Sequence, residues 1–379
     1  MNKAIMLLLL ITQLNSCQKM EKLPNYKTEK FEWDADATAP EGYSMIIVSP
    51  NYFRLEGIKL AFIPDMSSME DGWEGSARSW SVEDSFKTMP DSLHIAWFSN
   101  TENKFYEGYF KMPQEKLYHL FKEGYMIYSI PIENEDGKAL LHKETFSAIT
   151  VGLAPKGMVV VWASGQNKIE IGRYQAQEVD KVEANRMWKY FFKGVGGSDP
   201  GDMPLKIPEA ELKRFQSHVQ EEINQGKISS KQWDDYRLRY NWKVDFNKPL
   251  ELYRYYIRYF NSEYMSFLPS SLTQEEFNKD VLEPKSKAVP NNFGLYVTAQ
   301  NGKNYLIRIQ TFDEQETIEA FKELKTASPE AVITMYIEVD DTFNEFSVTL
   351  KNDKKEIRLK KCDLVLFTLD KTNDRKNEM

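Results

Sequence analysis

The sequence predicts an α+β protein made of two similar antiparallel, strand-rich units of the ββαββ type, joined by a helical insert. Three observations carry this expectation. From residue 43 to about 175, and again from about 293, short runs of β-branched and aromatic residues alternate with turn signals. Between about 181 and 285, apolar residues recur at helical spacing instead. The two strand-rich parts also match one another. "SNTENKFYEGYFKMPQEKLYHLFKE" aligns with "AQNGKNYLIRIQTFDEQETIEAFKE", and Phe121, Lys122 and Glu123 fall on Phe321, Lys322 and Glu323. At 379 residues the chain exceeds one ordinary core and suits two domains with connections.

Taken in order, residues 1 to 16 read as a processing signal. Lys3 is followed by "AIMLLLLI" at 4 to 11. A spanning helix needs about 20 apolar residues, so this run fits the hydrophobic region of a secretory leader. "LNSC" at 14 to 17 resembles the bacterial lipobox, a Leu and two small or polar residues before an obligatory Cys. The resemblance implies cleavage between Ser16 and Cys17, a diacylglyceryl group on the Cys17 thiol and a fatty acid such as palmitate on the new amino group. A thiolate is the soft nucleophile this chemistry needs, and two or three acyl chains anchor firmly where one is marginal. The alternative is a secretory leader with a chance cysteine. Cys362, the only other cysteine, has no disulfide partner in the mature chain and reads as a small hydrophobe in "LKKCDLVLF".

Residues 17 to 40 are polar and read as the lipidated Cys and a flexible tether. Gln18, in the position that sorts lipoproteins, favours an outer membrane, periplasmic or surface face, over the inner one. Residues 41 to 180 form the first unit, with a helix begun at Pro113 and an inward face of Leu117, Leu120 and Phe121. Residues 181 to 285 form the insert. There Leu212, Phe215, Val219 and Ile223 share a helical face ended by Gly226, Ser229 and Gln232 stand at capping-box spacing, and "LELYRYYIRYF" presents Leu252, Tyr253, Tyr256, Ile257 and Phe260 on one side. Residues 286 to 370 form the second unit, with a hairpin at Asn301-Gly302 and a helix from 313 to 325. Residues 371 to 379 read as a disordered tail.

Four runs, "WEGSARSW" (73 to 80), "PDSLHIAWFSNTENKFYEG" (90 to 108), "VGLAPKGMVVVWASG" (151 to 165) and "QWDDYRLRYNW" (232 to 242), resemble the bacterial lipoprotein family named domain of unknown function 2931. The resemblance spans residues 73 to 242. It implies an envelope lipoprotein and no particular activity.

The formal charge is −8, and no block of basic residues concentrates on one stretch, which argues against nucleic-acid binding. HExxH, GxSxG, a Walker loop and CxxC are all missing, and the four histidines are scattered. No cofactor, metal or catalytic residue is expected. "GVGGSDPGD" (194 to 202) follows a helical stretch rather than a strand and reads as a helix end and loop with Gly194 as cap. The one stretch that invites a ligand is "DGWEGSARSW", where Trp73, Glu74, Arg78 and Trp80 share a loop. With Trp97 and Trp162 these tryptophans would make a sugar platform, but Trp97 and Trp162 lie in apolar runs that read as core. The expected function is therefore a lipid-anchored envelope protein that binds an unknown protein or glycan partner without catalysis. One version is an immunity or inhibitor protein guarding against a secreted toxin. The alternative is a glycan-binding or glycan-processing surface lipoprotein.

Overall fold

The structure, a computed structural model, describes residues 25–66, 68–74, 83–128, 141–193 and 197–369. The leader, Ser16, Cys17, Arg78, Trp80, Gly194 and residues 371 to 379 lie outside the described residues. The fold is mixed α+β, with several sheets and helices, as the composition of the runs predicts.

The first half supplies β1 (Asp34–Thr38), β2 (Met45–Leu55), β3 (Ile58–Phe62), β4 (Ser92–Ser99), β5 (Lys104–Lys111), α1 (Gln114–Glu123), β6 (Ala148–Ala154), β7 (Met158–Ser164) and β8 (Lys168–Gln175). Strands β5-β4-β2-β3 run antiparallel in one sheet, extended past β5 by the short strand Gln177–Glu178. The outer face of this sheet carries Val48, Ala96, Phe98 and Phe105, and α2 (Lys181–Phe191) covers it with Ala184 and Met187.

The connecting region holds α3 (Glu209–Leu212), α4 (Ser217–Gln225) and α5 (Lys231–Tyr236). It is followed by β9 (Tyr240–Phe246), β10 (Leu250–Tyr259), β11 (Tyr264–Met265), α6 (Gln274–Leu282), β12 (Pro290–Ala299), β13 (Asn304–Thr311), α7 (Glu314–Ala327), β14 (Ile333–Val339), β15 (Phe346–Lys351), β16 (Glu356–Arg358) and β17 (Asp363–Leu369). A nine-stranded sheet in the order β1-β6-β7-β8-β11-β10-β12-β13-β17 runs through both halves, and β9-β14-β15-β16 with Lys285–Lys287 form a third sheet. One core joins them. Trp33, Trp97, Trp162, Trp242, Phe121 and Phe321 are all fully buried in it.

Several expectations are corrected. The polar stretch from 17 to 40 is not tether throughout, because Asp34–Thr38 is β1 of the nine-stranded sheet and Trp33, Ala35, Ala37 and Ala39 are buried in the core. The units are not purely antiparallel, because β1 pairs with β6 and β9 with β14 in parallel. The insert from 181 to 285 is not wholly helical either. "LELYRYYIRY" is β10, whose buried residues are Leu252, Tyr255, Ile257 and Tyr259. A bulge between Leu252 and Arg254 inserts one extra residue, so a period-2 strand acquires one three-residue step and imitates helical spacing. The single helix expected over 209 to 225 is broken into α3 and α4, where Gln216 turns to extended backbone (ψ 150°). Gly226 does end α4 in the left-handed region (φ 64°). Ser229 and Gln232 form no capping box. The Ser229 hydroxyl accepts from Lys231 N–H, and Gln232 reaches elsewhere.

The Asn301-Gly302 turn stands where expected, with Gly302 at φ 75° and its N–H on the Ala299 carbonyl. Trp97 and Trp162 are core residues, each with no exposed surface. Cys362 is half-buried just before β17, and burial, with Glu316 nearby, pushes its thiol up to about 12, which suits an inert side chain.

Candidate functional site

The β1–β2 turn begins the site. Pro40 and Tyr43 are buried there, and Gly42 adopts φ 76°. A Cβ at Gly42 would meet Gln216 and Val219 at 3.4 Å, so the bare backbone lets α4 settle on the turn. Val219 is the fully buried residue that holds α4 down. Between this turn, α4, α5 and the start of β12 opens a cleft of about 410 Å³.

Its floor is aromatic. Tyr43 meets Trp233 edge to face, with centroids 4.9 Å apart and planes at 87°. Trp233 meets Trp73 at 6.2 Å, and Tyr236 stacks on Phe260 at 5.6 Å. Tyr43, Trp73, Trp233 and Tyr236 are each less than a tenth exposed.

Its rim is acidic. Glu222 accepts the Tyr43 hydroxyl at 2.9 Å. Gln232 Nε2 donates both to the Tyr236 hydroxyl (2.5 Å) and to Glu314 Oε1 (3.0 Å). Asn291 Nδ2 donates to Glu74 Oε1 at 2.5 Å, and Arg258 stands 3.6 Å from the same carboxylate. Burial first, then the facing carboxylates, raises the hydroxyls of Tyr43 and Tyr236 well above the tyrosine range, so both remain donors.

Of the sequence-predicted surface, Trp73 and Glu74 belong to this cleft. Trp73 is not a raised sugar platform, since the residue is only 6% exposed and its ring packs edge-on against Trp162 at 5.1 Å. Its carbonyl is held by Lys168 Nζ (2.6 Å) and the Ser262 hydroxyl (2.8 Å), which ties this stretch to the second half. Arg78 and Trp80 lie outside the described residues. No functional pattern in the sequence marks Tyr43, Glu222, Gln232, Trp233, Tyr236 or Glu314. Gln232, Trp233 and Tyr236 do sit inside "QWDDYRLRYNW", a run that sequence resemblance had already marked.

A larger groove of about 740 Å³ lies beside Asp91 and Gln114. Lysines 27, 111 and 116 face Glu56, Asp91 and Glu115 there, and Tyr26 and His119 are its only rings. It therefore lacks both the aromatic floor and the one-signed rim. Among the described residues no group of three or more His, Cys, Asp or Glu is placed to hold a metal ion, and no helix is long and apolar enough to cross a membrane.

Lys168 lies 4.5 Å over the Trp162 ring and Lys287 the same distance over Trp242. Burial lowers each ammonium to about 8. The unfolded lysine titrates near 10.4, so between these values the unfolded chain holds more protons and stability rises with pH. Buried tyrosines work the other way above about pH 10, as does Cys362 from about pH 8.5, because folding keeps their protons on. The urea midpoint is expected to rise from neutral pH to a maximum near pH 9–10. It should then fall, and the rise should be flattened in Lys168→Met/Lys287→Met. A midpoint that only falls above neutral pH would contradict this.

A family model described as "Protein of unknown function (DUF2931)" matches residues 16–230, more than half of the chain. No curated protein and no solved structure matches. The matched region carries Tyr43, Trp73, Glu74 and Glu222, while Trp233, Tyr236, Asn291 and Glu314 lie beyond it.

Proposed function

The chain belongs to the DUF2931 family of proteins of unknown function, and on that premise we propose that it is a lipid-anchored envelope protein that binds a partner in the aromatic, acid-rimmed cleft without chemically altering it. The observation that carries this reading is the cleft itself. Polar side chains from two halves of the chain converge over buried rings, the usual form of a ligand seat. The leader and "LNSC" support attachment through Cys17, and Gln18 supports an outer-membrane address. An immunity or inhibitor protein is one version, since it needs an anchor and a recognition face rather than a reaction. The glycan alternative draws support from the aromatic floor.

The test is retention of envelope components on the full-length chain in mild detergent, compared with Gln216→Trp, which fills the cleft mouth from an exposed position. A component held by the wild type and lost from Gln216→Trp is the expected result. Equal retention by both would count against the cleft as the seat.

We also infer that the halves descend from one duplicated unit. In each, a strand pairs in parallel with a strand that follows a helix, and three strands paired antiparallel, β2-β4-β5 in one half and β10-β12-β13 in the other, precede that helix. "KTMP" at 87 to 90 stands against "KAVP" at 287 to 290. Lys87 lies 5.2 Å over Trp33 as Lys287 lies over Trp242. Met112 N–H bonds the Asp91 carbonyl, and Phe312 N–H bonds the Asn291 carbonyl. On this view the larger groove, beside Asp91 and Gln114, and the cleft, beside Asn291 and Glu314, are one position used twice. The added α3–α5 segment walls in only the second.

A further inference from the structure

We propose that the cleft recognises an organic cation, an ammonium or guanidinium group presented by its ligand; this rests on the cleft being the ligand seat. The cleft's lining holds four glutamates, Glu41, Glu74, Glu222 and Glu314, and no lysine or arginine. Glu74 has Arg258 nearby, but Glu222 and Glu314 are held only by neutral donors, the Tyr43 hydroxyl and the Gln232 amide. Among the described residues neither forms an ion pair with a lysine or arginine. The charges of Glu222 and Glu314 are thus left without a cation of the chain, unlike those of the larger groove, whose lining mixes both signs.

The floor adds an independent argument. The negative face of an aromatic ring attracts a cation, and perpendicular rings make the walls of an ammonium cage. At three other tryptophans a lysine of the chain itself takes such a face, Lys87 over Trp33, Lys168 over Trp162 and Lys287 over Trp242. Among the described residues no lysine or arginine lies over Tyr43, Trp233 or Tyr236. The Glu222 and Glu314 carboxylates stand at the polar edge of this floor, held by the Tyr43 hydroxyl and by the Gln232 amide that also bonds Tyr236, where a cation would meet carboxylate and ring edge together. A neutral sugar would use ring faces but would leave the glutamate charge unanswered.

Calorimetry on the full-length chain in non-ionic detergent tests this, with spermidine and agmatine as cationic probes and chitotriose as the neutral one. The expected result is saturable binding of at least one cation, weakened about tenfold or more by high salt. Binding should fall similarly in Glu222→Gln/Glu314→Gln and less in Glu314→Gln alone, each with an unchanged urea midpoint. Cation binding that ignores both variants would overturn the proposal. Binding of chitotriose without either cation would overturn it while leaving the cleft as a seat. So would binding of no probe by a chain whose envelope component is still lost from Gln216→Trp. Retention that ignores Gln216→Trp removes the underlying reading as well.

Discussion

Trp162→Ala is expected to destabilise the fold by about 3–5 kcal/mol, the range for removing a fully buried large side chain and leaving a cavity. The ring has no exposed surface, and its Nε1 donates to the Asn261 carbonyl at 3.2 Å. It carries the Lys168 ammonium on one side and the edge of Trp73 at 5.1 Å. Gly152 lies beneath it so closely that a Cβ there would come within 2.4 Å of the ring, so β6 lines the vacated space with bare backbone and offers no side chain to fill it. The substitution also takes the ring face from the Lys168 ammonium, leaving it the Trp73 carbonyl and the Ser262 hydroxyl, which adds to the cost. Urea unfolding should show a large fall in midpoint at constant slope. Trp162→Phe should lose less, since it keeps an aromatic face for Lys168. Because Trp73 backs onto Trp162, ligand retention at the cleft should weaken in Trp162→Ala even under conditions where it remains folded. A midpoint within error of the wild type would show that Trp162 does not organise this part of the core.

Cys17→Ala is expected to abolish labelling by fatty acid and to move the protein from the membrane to the soluble fraction. Each buried methylene contributes roughly 0.8 kcal/mol, so losing all acyl chains should reduce membrane partition by many orders of magnitude. The folded body should be untouched, because the described core begins well beyond this position. Unchanged midpoints with complete release would separate anchor from fold. Persistent labelling would mean that Cys17 is not the attachment point.

Much of the fold was legible because its elements obey simple periodicities. β4, α1, the Asn301-Gly302 hairpin and α7 stand where their patterns put them, and Phe121 and Phe321 are both buried. β10 departs from the helical pattern of its sequence for a physical reason. Its bulge breaks the alternation of "LELYRYYIRY", and a run of tyrosines provides a ring at almost every spacing. The parallel pairs β1–β6 and β9–β14 join residues more than 90 positions apart, and local patterns carry nothing of that. The cleft was half legible. Trp73 and Glu74 stood out as a tryptophan and an acid on a loop, but burial of Trp73 depends on Trp162 and Trp233, which come from distant strands and helices. Tyr43 and Glu222 meet across 179 residues, and neither is unusual in its own neighbourhood. Gln232 illustrates the limit. Its spacing from Ser229 suited a cap, whereas its amide bridges Tyr236 and Glu314 in the cleft.

The most direct measurement is photo-crosslinking in living cells from the cleft rim. A benzophenone amino acid placed at His218, an exposed residue lining the cleft, is compared with one at Lys354, in the β15–β16 turn. Both chains keep Cys17 and are expressed at native level. If the protein is an anchored binder that uses this cleft, the probe at 218 yields a discrete adduct, and the adduct disappears when Gln216→Trp is added. The probe at 354 yields none. Adducts from position 354 alone, or an adduct at 218 indifferent to Gln216→Trp, would contradict the cleft as the place where this protein meets its partner.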